Sequence, residues 1–174
     1  MGEIPEPDER NVEIELVLVE TPEQIEHIRT LFREYYDWVQ DFTGISLNFQ
    51  SHQAELAGLP GYYGPPEGCL VLVMDAEQPA GCAALRPLEP GVCEIKRMFI
   101  RPEYQGRGLG RLLGKRIIFE ARHLGYSLVR LDTADVLTPA QRLYESLGFR
   151  RSQPYYSPPP EIAHRILFYE MPLK

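Results

Sequence analysis

The first patterned stretch of the chain is a β-branched and leucine-rich run over Val12–Val19, which predicts a strand. Thr21-Pro22-Glu23-Gln24 follows, with a capping hydroxyl, proline at the first helical position and glutamine placed to close the box, so a helix starts near Pro22. Ile25, Ile28, Leu31, Phe32 and Tyr35 recur at intervals of three and four and form one buried stripe that runs to about Val39. The chain restarts after Gly44 as a short helix over Ser51–Leu56. Gly58–Gly68, with three prolines and Tyr62-Tyr63, has no regular period and reads as a substrate-side loop. Apolar runs at Leu70–Met74 and Ala80–Leu85 flank Asp-Ala-Glu-Gln-Pro and predict a hairpin, and Gly91 opens a third strand, Val92–Ile100, which Pro102 ends. A helix over Gly108–Leu124 stops at Gly125. A strand over Ser127–Asp132, a short helix over Pro139–Leu147, an extended segment from Gly148-Phe149 and a closing strand over His164–Met171 complete the chain. The order β-α-α-β-β-β-α-β-α-β-β predicts a mixed α/β domain with one sheet, too irregular for a doubly wound alternation.

The length of 174 residues suits one domain, with residues 1–11 as a loose tail and 12–174 as the folded unit. A net charge of −7 argues against a general binder of nucleic acid or anionic membrane. Basic residues nevertheless gather between Lys96 and Arg122, where a polyanionic ligand would be drawn. The three cysteines, Cys69, Cys82 and Cys93, are odd in number and lie in apolar runs, so buried free thiols in a reducing compartment are expected and no disulfide is assigned. His27, His52, His123 and His164 show no metal-ligand spacing, so no metal site is expected. The amino terminus lacks the basic and apolar regions of a signal peptide and no uncharged span approaches a membrane crossing; a soluble, cytoplasmic protein is expected.

The candidate chemistry begins at Tyr104-Gln-Gly-Arg-Gly-Leu-Gly-Arg111, which joins an apolar strand to an amphipathic helix. Gly106, Gly108 and Gly110 let successive N–H groups turn toward one anion, and the first helical turn adds unpaired donors and a positive dipole end. Arg107 and Arg111 bring mobile charge to the same rim. A dinucleotide fingerprint would need glycine at Arg111 or Leu113, and a Walker loop would need glycine at Leu109 and Ser or Thr at Arg116, so neither motif is present. Gln105-x-x-Gly108-x-Gly110 resembles instead the acetyl-CoA pyrophosphate loop of the GNAT acetyltransferase superfamily. Ala140-Gln-Arg-Leu143-Tyr144-Glu-Ser-Leu-Gly148-Phe149 resembles the second diagnostic segment of that superfamily, in the same order along the chain.

The resemblance implies a GNAT fold over about residues 12–173 and transfer of an acetyl group from acetyl-CoA to a primary amine. It places Gln105, Gly106, Arg107, Gly108, Leu109, Gly110 and Arg111 on the pyrophosphate and Met98, Phe99 and Ile100 on the pantetheine, with a backbone N–H, that of Met98, polarising the thioester carbonyl. It places Tyr144 near the sulfur as the acid. Glu94 stands at the offset from Gln105 at which the histone-acetyltransferase branch carries its base, and a half-buried carboxylate there would take a proton through water; the other readings are an ion pair with Lys96 and a substrate anchor. Strand alternation puts Glu94, Lys96 and Met98 on one face and Ile95, Arg97 and Phe99 on the other. Where many members have Asn, this chain has Leu137, and Asp132 or Asp135 is the candidate replacement.

For the acceptor, aromatics at Tyr35, Tyr36, Trp38, Phe42, Phe49, Tyr62, Tyr63, Tyr155 and Tyr156 offer walls, although Tyr35 and Trp38 at helical spacing read as core. Arg86, Lys96 and Arg97 are candidate anchors for a substrate carboxylate. The expected acceptor is a small amino acid-like or peptide-like amine. Acetylation of a protein N-terminus or lysine, and a non-catalytic acyl-CoA sensor, are the alternatives, and a longer acyl donor and a homodimer stay open.

Overall fold

The computed structural model describes residues 13–174, except the side chains of residues 49 and 50, so the expected tail at 1–11 lies outside the described residues. Strand β1 (Ile14–Leu18) leads into α1 (Pro22–Thr43) and the short α2 (His52–Ala57). Three strands follow, β2 (Cys69–Asp75), β3 (Gln78–Glu89) and β4 (Val92–Ile100), then α3 (Leu109–His123), β5 (Leu128–Ala134), α4 (Thr138–Leu147), the two-residue β6 (Arg150–Arg151) and β7 (Ile166–Pro172). The element order is the expected one, and the sheet is mixed: β1-β2-β3-β4-β5-β7-β6, antiparallel throughout except where β4 runs parallel to β5.

Helix α1 starts as expected, with Thr21 accepting from the Gln24 N–H and Gln24 reaching back to the cap backbone. It extends one turn beyond Val39 because Thr43 Oγ1 donates to the Val39 carbonyl at 2.6 Å and Gly44, at φ 70°, supplies the left-handed residue that ends it. Its stripe of Ile28, Leu31 and Phe32 packs on one face of the sheet with Leu70, Leu72 and Cys82. The opposite face carries α3, whose Leu113, Ile117 and Ala121 pack on Val71, Ala83, Ile95 and Val129. Within the expected irregular loop, Gly61–Tyr63 forms one 3-10 turn, and Tyr63 is buried in the α1 core.

One feature of β4 departs from simple alternation. The pairing of β3 with β4 slips between Cys82 and Ala84, and Arg97 adopts φ 54°, a β-bulge that inserts one residue. Glu94, Lys96, Arg97 and Phe99 therefore lie on the α1 side, whereas Ile95, Met98 and Ile100 pack on the α3 side. Met98 does not share a face with Glu94 and Lys96, and Arg97 and Phe99 do not share one with Ile95: the extra residue reverses the alternation after Lys96. The Cys82 thiol donates to the Arg97 carbonyl at 3.4 Å, filling part of the broken ladder. The three cysteines are free, and burial pushes the Cys69 and Cys93 thiols up to about 12.

Glycines at two places test this packing. A Cβ at Gly81 would sit 2.5 Å from the Phe99 carbonyl oxygen and 2.6 Å from Ile100 Cδ1, whereas one at Gly106 would meet nothing within 4 Å. Gly81→Ala is expected to destabilise the fold by about 2 kcal/mol through overpacking. Gly106→Ala, at φ 77°, is expected to cost about 1 kcal/mol, from backbone strain alone. Urea unfolding of both variants checks the ranking, and equal losses would contradict the close approach of β3 and β4.

Candidate active site

Strands β4 and β5 pair only from Val92↔Leu128 to Glu94↔Arg130 and then part. The gap between them opens two contiguous clefts that share Trp38, Met98, Leu137, Ala140 and Tyr144. One cleft runs outward past Phe99, Ile100, Gln105, Gly106, Gly108 and Gly110, over the first turn of α3. The other runs inward under α1 and the chain after it, past Tyr35, Val39, Ile45 and Leu47, to Lys96, Arg97, Asp132 and Ile166.

The outer cleft has the features of an anion cradle. Gly106 and Gly108 both take φ 77° with open space on the Cβ side, and Gly108 caps α3 with no side-chain hydrogen bond to the helix N–H groups. Those N–H groups are left for a ligand, as a helix start provides. Gln105 spends its side-chain amide on the Ile100 carbonyl at 2.9 Å, which fixes the loop to the end of β4. Arg107 lies over the Tyr104 ring at 5.3 Å. Arg111 donates to Ser146 Oγ at 2.7 Å and so ties α3 to α4. Small residues allow that contact: Gly110 faces Leu143, and a Cβ at Gly114 would stand 2.6 Å from Leu147 Cδ1.

Tyr144 sits where the clefts meet. Its ring packs edge-on to Phe149 at 6.0 Å and tilted to Tyr169 at 6.3 Å, and its hydroxyl makes no hydrogen bond among the described residues. Burial, with smaller contributions from Tyr35 and Asp132, pushes the hydroxyl well above its ordinary range, so it stays protonated at neutral pH. Leu137 lines both clefts and presents carbon where a polar contact is common in the resembling family. Both candidate replacements are already engaged: Asp135 pairs with Arg165 at 3.4 Å, and Asp132 accepts from Lys96 on one oxygen and from Tyr156 on the other.

The inner cleft is backed by three cation–carboxylate pairs. Glu94, 1% exposed, accepts from Arg86 Nε at 2.9 Å and from the Tyr155 hydroxyl, with Lys96 Nζ 3.9 Å away. It does not line the cleft. Lys96 Nζ lies 3.0 Å from Asp132 Oδ1, and the Tyr156 hydroxyl donates to Asp132 Oδ2 at 2.8 Å. Arg97 Nε lies 3.0 Å from Glu55 Oε2, and Glu55 also accepts from the hydroxyls of Tyr36 and Tyr63. Burial raises the Glu55 and Asp132 carboxyls, but the adjacent cations and the tyrosine hydrogen bonds outweigh it, so both are held below the usual carboxylate range. Tyr155 and Tyr156 each meet the Phe168 ring edge-on, at 5.2 and 5.1 Å, which carries the segment before β7 across this face.

The expected site residues therefore divide. Gln105, Gly106, Gly108, Leu109 and Gly110 come together with Met98, Phe99, Ile100 and Tyr144 around one cleft system; Arg107 and Arg111 turn to Tyr104 and Ser146 instead of lining it, and Glu94 lies behind its wall. Tyr35 and Trp38, read as core, line the cleft, and exposed Phe42 stacks on Trp38 at 5.6 Å. Tyr62 is exposed, Tyr36 and Tyr63 hold Glu55, and Phe49 lies outside the described side chains. Ile45, Leu47 and Ile166 went unanticipated because they reach the cleft from elements with no local motif, as did Glu55, which meets the cleft only through Arg97. Among the described residues no cluster of metal-ligating side chains occurs, and no helix is long and apolar enough to cross a membrane.

The comparisons agree with this architecture. An uncharacterized N-acetyltransferase of Schizosaccharomyces pombe is 43% identical over 148 residues, 84% of this chain and 88% of that protein. The N-acetylaspartate synthetase of Danio rerio is 36% identical over 99 residues, 56% of this chain but 35% of that protein. A solved structure of yncA from Salmonella typhimurium with its cofactor acetyl-CoA superposes with a TM-score of 0.67, at 18% identity, over 93% of this chain and 95% of that one. Residues 25–149 match the model of the acetyltransferase (GNAT) family, a span that takes in the inner cleft's α1 wall, the glycine loop and Tyr144. The chain thus belongs to the GNAT family and is an acyl-CoA-dependent N-acetyltransferase.

Proposed function

We propose that the protein moves an acetyl group from acetyl-CoA to the primary amine of a small amino acid-like or peptide-like molecule. The observation that carries this reading is the continuity of the two clefts at Tyr144: a glycine-rich rim over the start of α3 leads past Trp38, Met98, Leu137 and Ala140 into an inner cleft lined by Lys96, Arg97 and Asp132. The rim residues Gly106, Arg107, Gly108, Leu109 and Gly110 would hold the pyrophosphate, with Gln105 and Arg111 bracing the loop, and the parted edge of β4 at Met98–Ile100 would pair with the amide-rich pantetheine arm. The bulge at Arg97 leaves Met98 outside the β3–β4 register, and its N–H is the proposed donor to the thioester carbonyl.

The amine nitrogen bonds to the carbonyl carbon as the carbon–sulfur bond breaks. Of the two protons that an ammonium loses on becoming an amide, one ends on the thiol and one in solvent. Tyr144 supplies the first: its hydroxyl shares a proton with the departing sulfur and is reset by the amine's proton. Its raised range makes complete transfer uphill, so the hydroxyl acts within the transition state. Glu94 is the proposed route for the second proton, through water that passes Lys96, since the carboxylate itself lies behind the cleft wall and is held by Arg86 and Tyr155. A chamber covered by Ile45, Leu47 and the Tyr155-Tyr156 segment favours a small acceptor over a protein chain.

Thiol release from acetyl-CoA, read with a chromogenic disulfide across amino acids, polyamines, aminoglycosides and short peptides, tests the reading. Turnover with one small amine class is expected; peptides alone being acetylated would favour the protein-acetylating alternative, and acetyl-CoA binding without any turnover the sensor. Tyr144→Phe is expected to lower kcat about 10²-fold with acetyl-CoA affinity within about twofold, since only proton delivery is lost. Unchanged kcat would remove Tyr144 from the chemistry. Gly108→Val, which places a β-branched side chain at φ 77° on the rim, is expected to raise the acetyl-CoA Kd at least about tenfold in calorimetry.

A further inference from the structure

Lys96 and Asp132 stand two residues beyond the last paired residues of β4 and β5, Glu94 and Arg130, so they face each other across the parting strands. Their ion pair replaces the ladder at that level, and both side chains line the inner chamber, 5% and 12% exposed. Every cation expected to anchor a substrate carboxylate is matched: Lys96 by Asp132, Arg97 by Glu55, and Arg86 by Glu94. With each cation matched, the chamber is near electrical neutrality, and the apolar Val39, Ile45, Leu47 and Ile166 share its lining with Thr133, Tyr35 and Tyr144.

A neutral buried pair receives a net charge badly, because a lone added ion is desolvated without a free partner. It receives a second dipole well. The ammonium and carboxylate of an α-amino acid stand roughly 3 Å apart by covalent geometry, which matches the span of the Lys96–Asp132 pair. Asp132 keeps acceptor capacity on both oxygens after its bonds to Lys96 and Tyr156, and an ammonium has three donors.

We propose that the acceptor is a free, zwitterionic α-amino acid with an apolar side chain, its ammonium taken by Asp132, its carboxylate by Lys96, and its side chain by Val39, Ile45, Leu47 and Ile166. The assignment rests on the reading above that the inner chamber admits the acceptor. It separates three compounds of similar size. Phenylalanine completes a square of alternating charges. Aspartate carries an additional carboxylate onto aliphatic wall, and 2-phenylethylamine leaves Lys96 unmatched by the substrate and brings in a net cation. The depressed carboxyl of Asp132 suits this role, since an anion that stays ionised is a good counter-ion and a poor base.

The test compares the three amines in the thiol-release assay and, independently of turnover, by quenching of Trp38, the sole tryptophan of the chain and a wall of both clefts, in the presence of coenzyme A. Phenylalanine is expected to exceed aspartate and 2-phenylethylamine at least tenfold in kcat/KM and to bind with a Kd at least tenfold lower. Asp132→Asn and Lys96→Gln are each expected to weaken phenylalanine binding at least tenfold while the acetyl-CoA Kd moves less than twofold. Ile166→Phe, at a half-buried wall position, is expected to shift preference from phenylalanine toward alanine, and so reports on the chamber should the charge variants fold poorly. Preference for aspartate, equal use of phenylalanine and 2-phenylethylamine, or indifference to all three substitutions would overturn the proposal. If acetyl-CoA binds and phenylalanine neither quenches Trp38 nor releases thiol, the acceptor assignment alone fails; if acetyl-CoA does not bind, the transferase reading falls with it.

Discussion

The parting of β4 from β5 after Glu94 and Arg130 is the constraint on which the remainder of the site depends. Parallel strands that stayed paired would leave no chamber, and strands that parted without compensation would bury unpaired N–H and C=O groups. The bulge at Arg97 helps by turning β4 out of register with β3, and α4 closes the far side of the gap with Leu137, Ala140 and Tyr144. The defect in the sheet is thus a built feature: it frees backbone groups along one strand edge at the depth where α3 begins.

A second cost arises from the charges placed around that opening. Glu94, Lys96 and Arg97 are buried polar side chains, and each would be strongly destabilising alone. They persist because each has an opposite charge and because four tyrosines, Tyr36, Tyr63, Tyr155 and Tyr156, donate to the carboxylates. Burial keeps those phenols protonated, so the donors hold across the neutral range. The network also joins segments far apart in the chain: Glu55 of α2 meets Arg97 of β4, and Glu94 meets Tyr155. The walls of the inner cleft and fold stability are in this way set by the same contacts.

How legible each part was follows the range of the interactions that make it. The glycine loop, the capping of α1 and the hairpin are specified by neighbours a few residues apart, so Gly106, Gly108, Thr21 and Gln24 announced themselves in the sequence. The bulge did not, because Arg97 carries no glycine or proline to mark its left-handed backbone, and the alternation drawn through it misplaced Met98. Glu94 and Lys96 were readable as a pair; that Arg86, Tyr155 and Asp132 complete the group was not, since those residues arrive from β3, the segment before β7, and β5. Tyr35 and Trp38 obey the helical period that marks a core stripe, and period alone cannot tell a residue that faces packed side chains from one that faces a cleft.

The same division explains why family membership fixes the donor more firmly than the acceptor. Residues that face the outer cleft come largely from the consecutive stretch β4–loop–α3 and from α4, so their geometry follows from motifs that the family shares. Residues that face the inner chamber come from α1, the turn at Ile45 and Leu47, the strands at Lys96 and Asp132, and Ile166, which lies beyond the matched span of 25–149. A change at any one of these alters acceptor fit without disturbing the glycine loop. The N-acetylaspartate synthetase likeness, over 56% of this chain and 35% of that protein, does not by itself carry aspartate over as the acceptor. Charge pairing inside the chamber is the sounder guide to the acceptor, because it is decided by the side chains that an acceptor would touch.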